Sequence, residues 1–272
     1  LRDRIDIDTI RSMTSHSLKS KRVLITGASA GFGEACAHAF AAAGADLELW
    51  ARRADRLDAV KRAASAARVD IHTREIDVRD RDAVTAAVQN IYAGGRHIDV
   101  LVNNAGLAAG LDPIQEGDYD DWDAMIDTNL KGLLNVTREV IAHMVARNSG
   151  HVINIGSVAG YIAYPRGNVY SATKFAVRGL TESMNIDMYG TNVRVSSVDP
   201  GAAETEFSLV RFHGDEDRAN KVYDGFTPLS AADVADAVLY VASAPEHVNI
   251  TRIVMLPTAQ RNPYLIHRET GK

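Results

Sequence analysis

From residue 21 onward the chain alternates short apolar runs with longer helical stretches. The runs at 23–26, 46–51, 69–76, 98–102, 151–155, 193–198 and 250–256 have the length and β-branched content of buried strands. Between them, 33–43 is alanine-rich and 54–66 is charged, and both read as helices. In 80–92, Val84, Val88 and Ile91 share one helical face. The spacing predicts one long helix over 122–147, with Trp122, Met125 and Ile126 as core, and another over 170–189. A last helix, 230–243, opens with Ser230 and Asp233 at capping-box spacing. Strands that are apolar throughout are covered on both faces, and their alternation with helices implies a parallel sheet. One doubly wound domain over 21–272 is the expected architecture. Residues 202–229 are polar, carry no strand signal and follow the sixth strand at the ligand edge, so they read as a substrate lid. Residues 1–20 form a polar extension without the apolar core of a secretory signal.

Composition narrows the partners. With 30 basic and 35 acidic side chains the net charge is −5, which argues against a nucleic-acid binder built on a basic face. No apolar run is long enough to span a membrane. The single cysteine, Cys36, permits no internal disulfide and no cysteine zinc site. It reads as a packed side chain, and the expected compartment is the cytoplasm. The nine histidines are scattered without ligand spacing, so no metal is expected.

The first strand runs into Thr26-Gly27-Ala28-Ser29-Ala30-Gly31-Phe32-Gly33 and then a helix. Gly27 permits the sharp turn, Gly31 lets backbone approach a pyrophosphate, and Gly33 lets the helix pack close to the sheet. The helix N-terminus offers N–H groups and partial positive charge to the anion. This is the dinucleotide loop of a Rossmann-type α/β fold, with a seven-stranded parallel sheet and helices on both faces. An NAD site places a carboxylate after the second strand, whereas this chain has Arg52 and Arg53. Paired guanidiniums favour the 2′-phosphate of NADP(H).

Tyr170 and Lys174 form Y-x-x-x-K, one face of a helix. A nearby ammonium favours the phenolate, so Lys174 is expected to lower the Tyr170 pKa. Ser157, Asn103–Gly106 and Pro200-Gly201 each follow a strand at the same carboxyl edge, where ligands bind.

With these motifs in order, the sequence resembles the short-chain dehydrogenase/reductase family over about 20–260. The resemblance implies that Tyr170 exchanges a proton with the substrate oxygen and that Ser157 steadies that oxygen. Lys174 would bind the nicotinamide ribose, and Asn129 would hold a water in a proton relay. Ser29, Phe32, Asp77, Val78, Asn103, Ala105 and Gly106 would contact the cofactor with the loop glycines. Pro200, Gly201 and Thr205 would meet it from the other side. A homotetramer packed through the two long helices is implied, with the 262–268 tail placed to reach a neighbouring subunit.

The segment Thr205-Glu206-Phe207-Ser208-Leu209-Val210-Arg211-Phe212 is similar to the NADP-dependent 3-hydroxy acid dehydrogenase subgroup. That implies oxidation of serine, allo-threonine or 3-hydroxypropionate. A carboxylate substrate wants a guanidinium, with Arg211 the first candidate and Arg166 the second. Two alternatives stand beside this reading. One is reduction of sulfoacetaldehyde or another small carbonyl compound. The other is a non-catalytic NADP-binding sensor, which would tolerate loss of Tyr170 or Lys174.

Overall fold

The apolar runs become seven parallel strands in a computed structural model that describes residues 18–269. They are β1 (Arg22–Thr26), β2 (Asp46–Ala51), β3 (Ile71–Glu75), β4 (Val100–Asn103), β5 (Gly150–Ile155), β6 (Val193–Pro200) and β7 (Arg252–Met255). Their order is β3-β2-β1-β4-β5-β6-β7. Val23 of β1 pairs with Leu47 of β2 on one side and Val100 of β4 on the other. The chain therefore reverses direction across the sheet between β1 and β4, and this opens a crevice at their carboxyl ends. Of the expected polar extension, 1–20, only Leu18–Ser20 falls among the described residues.

Strand alternation divides the core. Val23, Ile25, Leu47 and Leu49 face Cys36 and Phe40 of α1 (Gly31–Ala42) and Val234 and Val238 of α9 (Ala231–Ala242). Leu24, Leu101 and Val152 face Val84 and Val88 of α3 (Arg81–Ala93) and Val136 and Val140 of α5 (Leu133–Arg147). The remaining helices are α2 (Ala54–Ala64), α4 (Tyr119–Ile126), α6 (Asn168–Asp187), α7 (Phe207–Arg211) and α8 (Glu216–Lys221). Cys36 is fully buried, and burial pushes its thiol pKa up to about 12. It is a packing residue, as expected.

The helix expected over 122–147 is three pieces. Asp118 caps an earlier start by accepting from the backbone of Asp120 at 2.7 Å. A π-turn, Asp127–Gly132, then separates α4 from α5. Such wide turns re-aim side chains, and this one carries Asn129. The apolar periodicity runs through the insertion, so the pattern alone did not reveal it.

Residues 202–229 contain the two short helices α7 and α8 and are tied at their base. Leu229 N–H donates to Ala202 O at 3.0 Å, and Glu204 N–H donates to Leu229 O at 2.9 Å. Across the crevice mouth, Glu206 accepts from both Arg53 Nη atoms at 3.1 Å and also pairs with Arg56. The 262–268 tail packs on its own chain: Arg268 donates to Val222 O at 2.9 Å and also to Asp224 O.

The Glu206 clasp holds the first half of the 202–229 segment to the start of α2. Exposed ion pairs add little to global stability but hold a local segment closed. Glu206→Ala is therefore expected to speed proteolytic cleavage within 202–229 and to leave the global unfolding midpoint unchanged. Limited proteolysis beside a thermal melt checks this.

Candidate active site

A cavity of about 600 Å³ runs along the carboxyl edge of the sheet. Arg52, Arg53, Asp77 and Val78 line one end, the glycine loop lines the middle, and Ser157, Tyr170 and Lys174 line the other end.

The loop geometry depends on missing side chains. Gly27 and Gly31 are left-handed, with φ of +65° and +56°. A Cβ on Gly27 would lie 2.9 Å from Ala105 Cα, and one on Gly33 would overlap the Gly27 carbonyl. Thr26 Oγ1 accepts from Asn104 N–H at 3.1 Å and from Ala105 N–H at 3.0 Å. Asn104 Nδ2 donates back to Thr26 O at 2.9 Å. The ends of β1 and β4 are thereby locked together. Ala30 at the α1 N-cap supplies no side-chain acceptor, so first-turn N–H groups are left to meet an anion. Thr205 covers the loop, within 3.4 Å of where a Gly31 Cβ would stand. These donors fit the pyrophosphate of a dinucleotide, and Arg52 and Arg53 fit a further phosphate beyond it.

Around this channel, Ser29 Oγ accepts from Arg53 Nε at 3.4 Å, and Phe32 lines the wall. The Asp77 carboxyl is held below its ordinary pKa by hydrogen bonds from Arg79. Val78 O accepts from Asn135 at 3.0 Å. Gly106 and Pro200 line the cavity, and Gly201 N–H donates to Met255 O at 2.8 Å.

At the reactive end, Tyr170 and Lys174 project from α6 and are 9% and 8% exposed. Ser157 lines the same space and caps the turn Val158–Gly160, accepting from Ala159 N–H at 3.1 Å. Tyr170 meets the Phe207 ring edge-on at 5.5 Å between centroids. Lys174 Nζ donates to Ile155 O at 2.9 Å and stands 5.9 Å from the Tyr170 ring centroid. Burial pushes the Lys174 pKa down to about 8.

Burial, and secondarily Tyr164, raises the Tyr170 pKa; the Ser157 hydrogen bond and the Arg211 charge pull it the other way. The ammonium is turned toward the Ile155 carbonyl, and Arg211 supplies the positive charge acting on the phenol.

Arg211 sits at the end of α7 with its guanidinium 5.6 Å from the Tyr170 ring centroid. Nε donates to Gly110 O at 3.2 Å, and Nη2 donates to the Tyr164 hydroxyl at 2.6 Å. Its side-chain partners among the described residues are neutral. Arg166 has a left-handed φ of 62° and does not line the large cavity; it lines a small neighbouring one with Asp112, Asp118 and Asp121, which Tyr170 and Arg211 also border.

Two expected site residues sit behind the wall instead of on it. Asn103 is buried, and its Nδ2 donates to Thr137 Oγ1 at 2.8 Å and Asn154 Oδ1 at 2.9 Å. It braces β4 against β5 and α5. Asn129 accepts from Leu107 N–H at 2.8 Å, and its Nδ2 donates to Leu107 O at 2.8 Å and Thr173 Oγ1 at 3.1 Å. It ties the π-turn to α6 and to the loop after β4.

The sequence reading assigned no role to Gln260 or Asp199. Gln260 accepts from Ala202 N–H at 2.8 Å and fills the space beside Gly201. Asp199 is buried behind Gly156. Gln260 acts on a residue 58 positions away in the chain, which no local pattern encodes.

Residues 21–214 match the family model described as short chain dehydrogenase. The NADP-dependent 3-hydroxy acid dehydrogenase YdfG of Salmonella typhi is 47% identical over 239 residues, 88% of this chain and 95% of that protein. Sulfoacetaldehyde reductase 2 of Chromohalobacter salexigens is 46% identical, over 88% of this chain and 94% of its own. Among solved structures, the closed form of serine dehydrogenase complexed with NADP⁺ is 44% identical, with a TM-score of 0.85, over 91% of this chain and all of that one. The seven-stranded parallel fold agrees with these matches, and the chain belongs to the short-chain dehydrogenase family.

Proposed function

We propose that this chain is an NADP-dependent oxidoreductase acting at the hydroxyl-bearing carbon of a short 3-hydroxy acid of the serine, allo-threonine or 3-hydroxypropionate type. The observation that carries the substrate class is Arg211. Its guanidinium lies beside Tyr170 in the cavity, with only neutral side-chain partners among the described residues. A substrate carboxylate completes that pairing.

When bound, NADP(H) supplies hydride transfer at its nicotinamide. The chain supplies the rest. Arg52 and Arg53 take the 2′-phosphate, Gly27–Gly33 the pyrophosphate, and Asp77 and Val78 the adenine. Asn103, Ala105, Gly106, Pro200, Gly201 and Thr205 shape the channel between. Tyr170 accepts the proton of the substrate hydroxyl during oxidation and returns it during reduction. Ser157 hydrogen-bonds the same oxygen. Lys174 orients the ribose, and Asn129 heads the water path by which the proton leaves. The 202–229 lid closes over the substrate and carries Arg211 to it.

Reduction of sulfoacetaldehyde is the second reading. A sulfonate fits the same guanidinium, and one relative at 46% identity carries that name. The sensor reading loses ground, because Ser157, Tyr170 and Lys174 share one cavity.

Assembly as a homotetramer in the cytoplasm belongs to the same proposal. Leu134 and Val145 on α5, and Phe175 and Ile186 on α6, leave apolar surface to be covered. The lone cysteine suits a reducing compartment. Light scattering is expected to give four times the chain mass.

Initial rates with NADP⁺ and each hydroxy acid, and with NADPH and sulfoacetaldehyde, separate the two substrate readings. Tyr170→Phe is expected to lower kcat by about a hundredfold to ten-thousandfold, the usual worth of a positioned acid/base. Arg211→Ala is expected to lower kcat/KM for the acids by about tenfold to a hundredfold, chiefly through KM. An unchanged KM removes Arg211 from anion binding.

A further inference from the structure

The mechanism above leaves one buried carboxylate unused. Asp199, near the end of β6, is 2% exposed. Tyr161 donates its hydroxyl hydrogen to Oδ2, and Ser197 Oγ donates to the same oxygen at 3.1 Å. Arg252 Nε of β7 approaches it at 3.6 Å. The other oxygen, Oδ1, fills the space that a Cβ on Gly156 would need. Gly156 directly follows Ile155, whose carbonyl receives Lys174 Nζ at 2.9 Å. Carboxylate and ammonium thus converge on two consecutive residues at the end of β5.

We propose that Asp199 is a positioning residue of the active site, a buried counter-charge that keeps Lys174 cationic beneath Tyr170. This rests on the role proposed above for Lys174.

A buried ammonium needs such support. Desolvation opposes its charge, and a nearby anion offsets that cost. Here burial lowers the Lys174 pKa and the Asp199 charge raises it. The effect is mutual: burial raises the Asp199 pKa, while Tyr161, Ser197, Arg252 and Lys174 lower it. The surrounding charges are accounted for on each side. Tyr161 comes from the loop after β5, Arg252 from β7 and Lys174 from α6. Arg178 of α6 lies over the Tyr161 ring at 4.6 Å. Glu182 of α6 holds Arg252 at 2.7 Å and Arg178 at 3.1 Å. Two donors and the Arg252 guanidinium occupy Asp199 Oδ2, and Oδ1 lies on the Gly156 side. Gly156 is then a requirement of the pair, since any side chain there would displace the carboxylate.

The sign follows. Removing the Asp199 charge takes away a raising influence, so the Lys174 pKa falls below its value of about 8. The ammonium is then lost at lower pH.

The test is NADPH binding, read by cofactor fluorescence across a pH series, for the wild type, Asp199→Asn and Tyr161→Phe. Wild-type affinity is expected to fall as pH rises through about 8. In Asp199→Asn the same fall is expected about one pH unit lower, equivalent to about tenfold in the Lys174 proton equilibrium. Tyr161→Phe removes one donor that keeps the carboxylate ionised, and a smaller shift in the same direction is expected. Binding weakened equally at every pH, with an unmoved midpoint, overturns the proposal, as does a wild-type affinity flat across the series. If Asp199→Asn does not fold, Tyr161→Phe decides by the same midpoint. The measurement needs no substrate, so a wild type that binds NADPH but turns over no hydroxy acid counts against the proposed function and not against Asp199.

Discussion

The close approach of two backbones at the β1–β4 crevice governs the rest of the site. A side chain on Gly33 would overlap the Gly27 carbonyl, and one on Gly27 would press on Ala105. Because neither exists, α1 begins directly against the end of β1, and its free N–H groups reach the crevice. Thr26 and Asn104 complete the junction with three hydrogen bonds between β1 and β4. The same topological reversal places Ser157 at the next strand end, so cofactor and substrate ends share one edge.

At the reactive end the governing term is desolvation. Tyr170 and Lys174 are both buried, which raises one pKa and lowers the other. Left alone, burial would neutralise both groups. The opposing influences come from different elements: Arg211 and Ser157 on the phenol, Asp199 on the ammonium. Arg211 belongs to the 202–229 segment, so that segment supplies one of the charges acting on the phenol.

The 202–229 segment is held from two sides. Glu206 pairs with Arg53 and Arg56, the former being a cofactor-phosphate candidate, and Arg268 of the tail holds the Val222 and Asp224 carbonyls. Both anchors are charged groups acting on an irregular segment that has little core of its own. A loop of this kind keeps its shape through such contacts and opens at modest cost.

Much of this was legible from residue order. The seven strands, the helices between them and the glycine loop are local patterns, set by side-chain volume, periodicity and backbone freedom. The Tyr170–Lys174 spacing is local too, because four residues make about one helical turn. The π-turn at Asp127–Gly132 escaped, because an inserted residue leaves the apolar rhythm nearly intact. Asn103 and Asn129 were expected at the site, and their bracing contacts were not legible, since the partners lie 22 to 51 residues away. Sequence ranked Arg211 ahead of Arg166 as an anion partner, and the folded chain sets Arg211 beside Tyr170 in the large cavity, which Arg166 does not line. The sequence by itself determined the architecture and the glycine loop, and it picked out Ser157, Tyr170 and Lys174 as the candidate reacting side chains. Tertiary structure decided which charges act on them, because electrostatic coupling depends on distance and burial, and neither is a property of position along the chain.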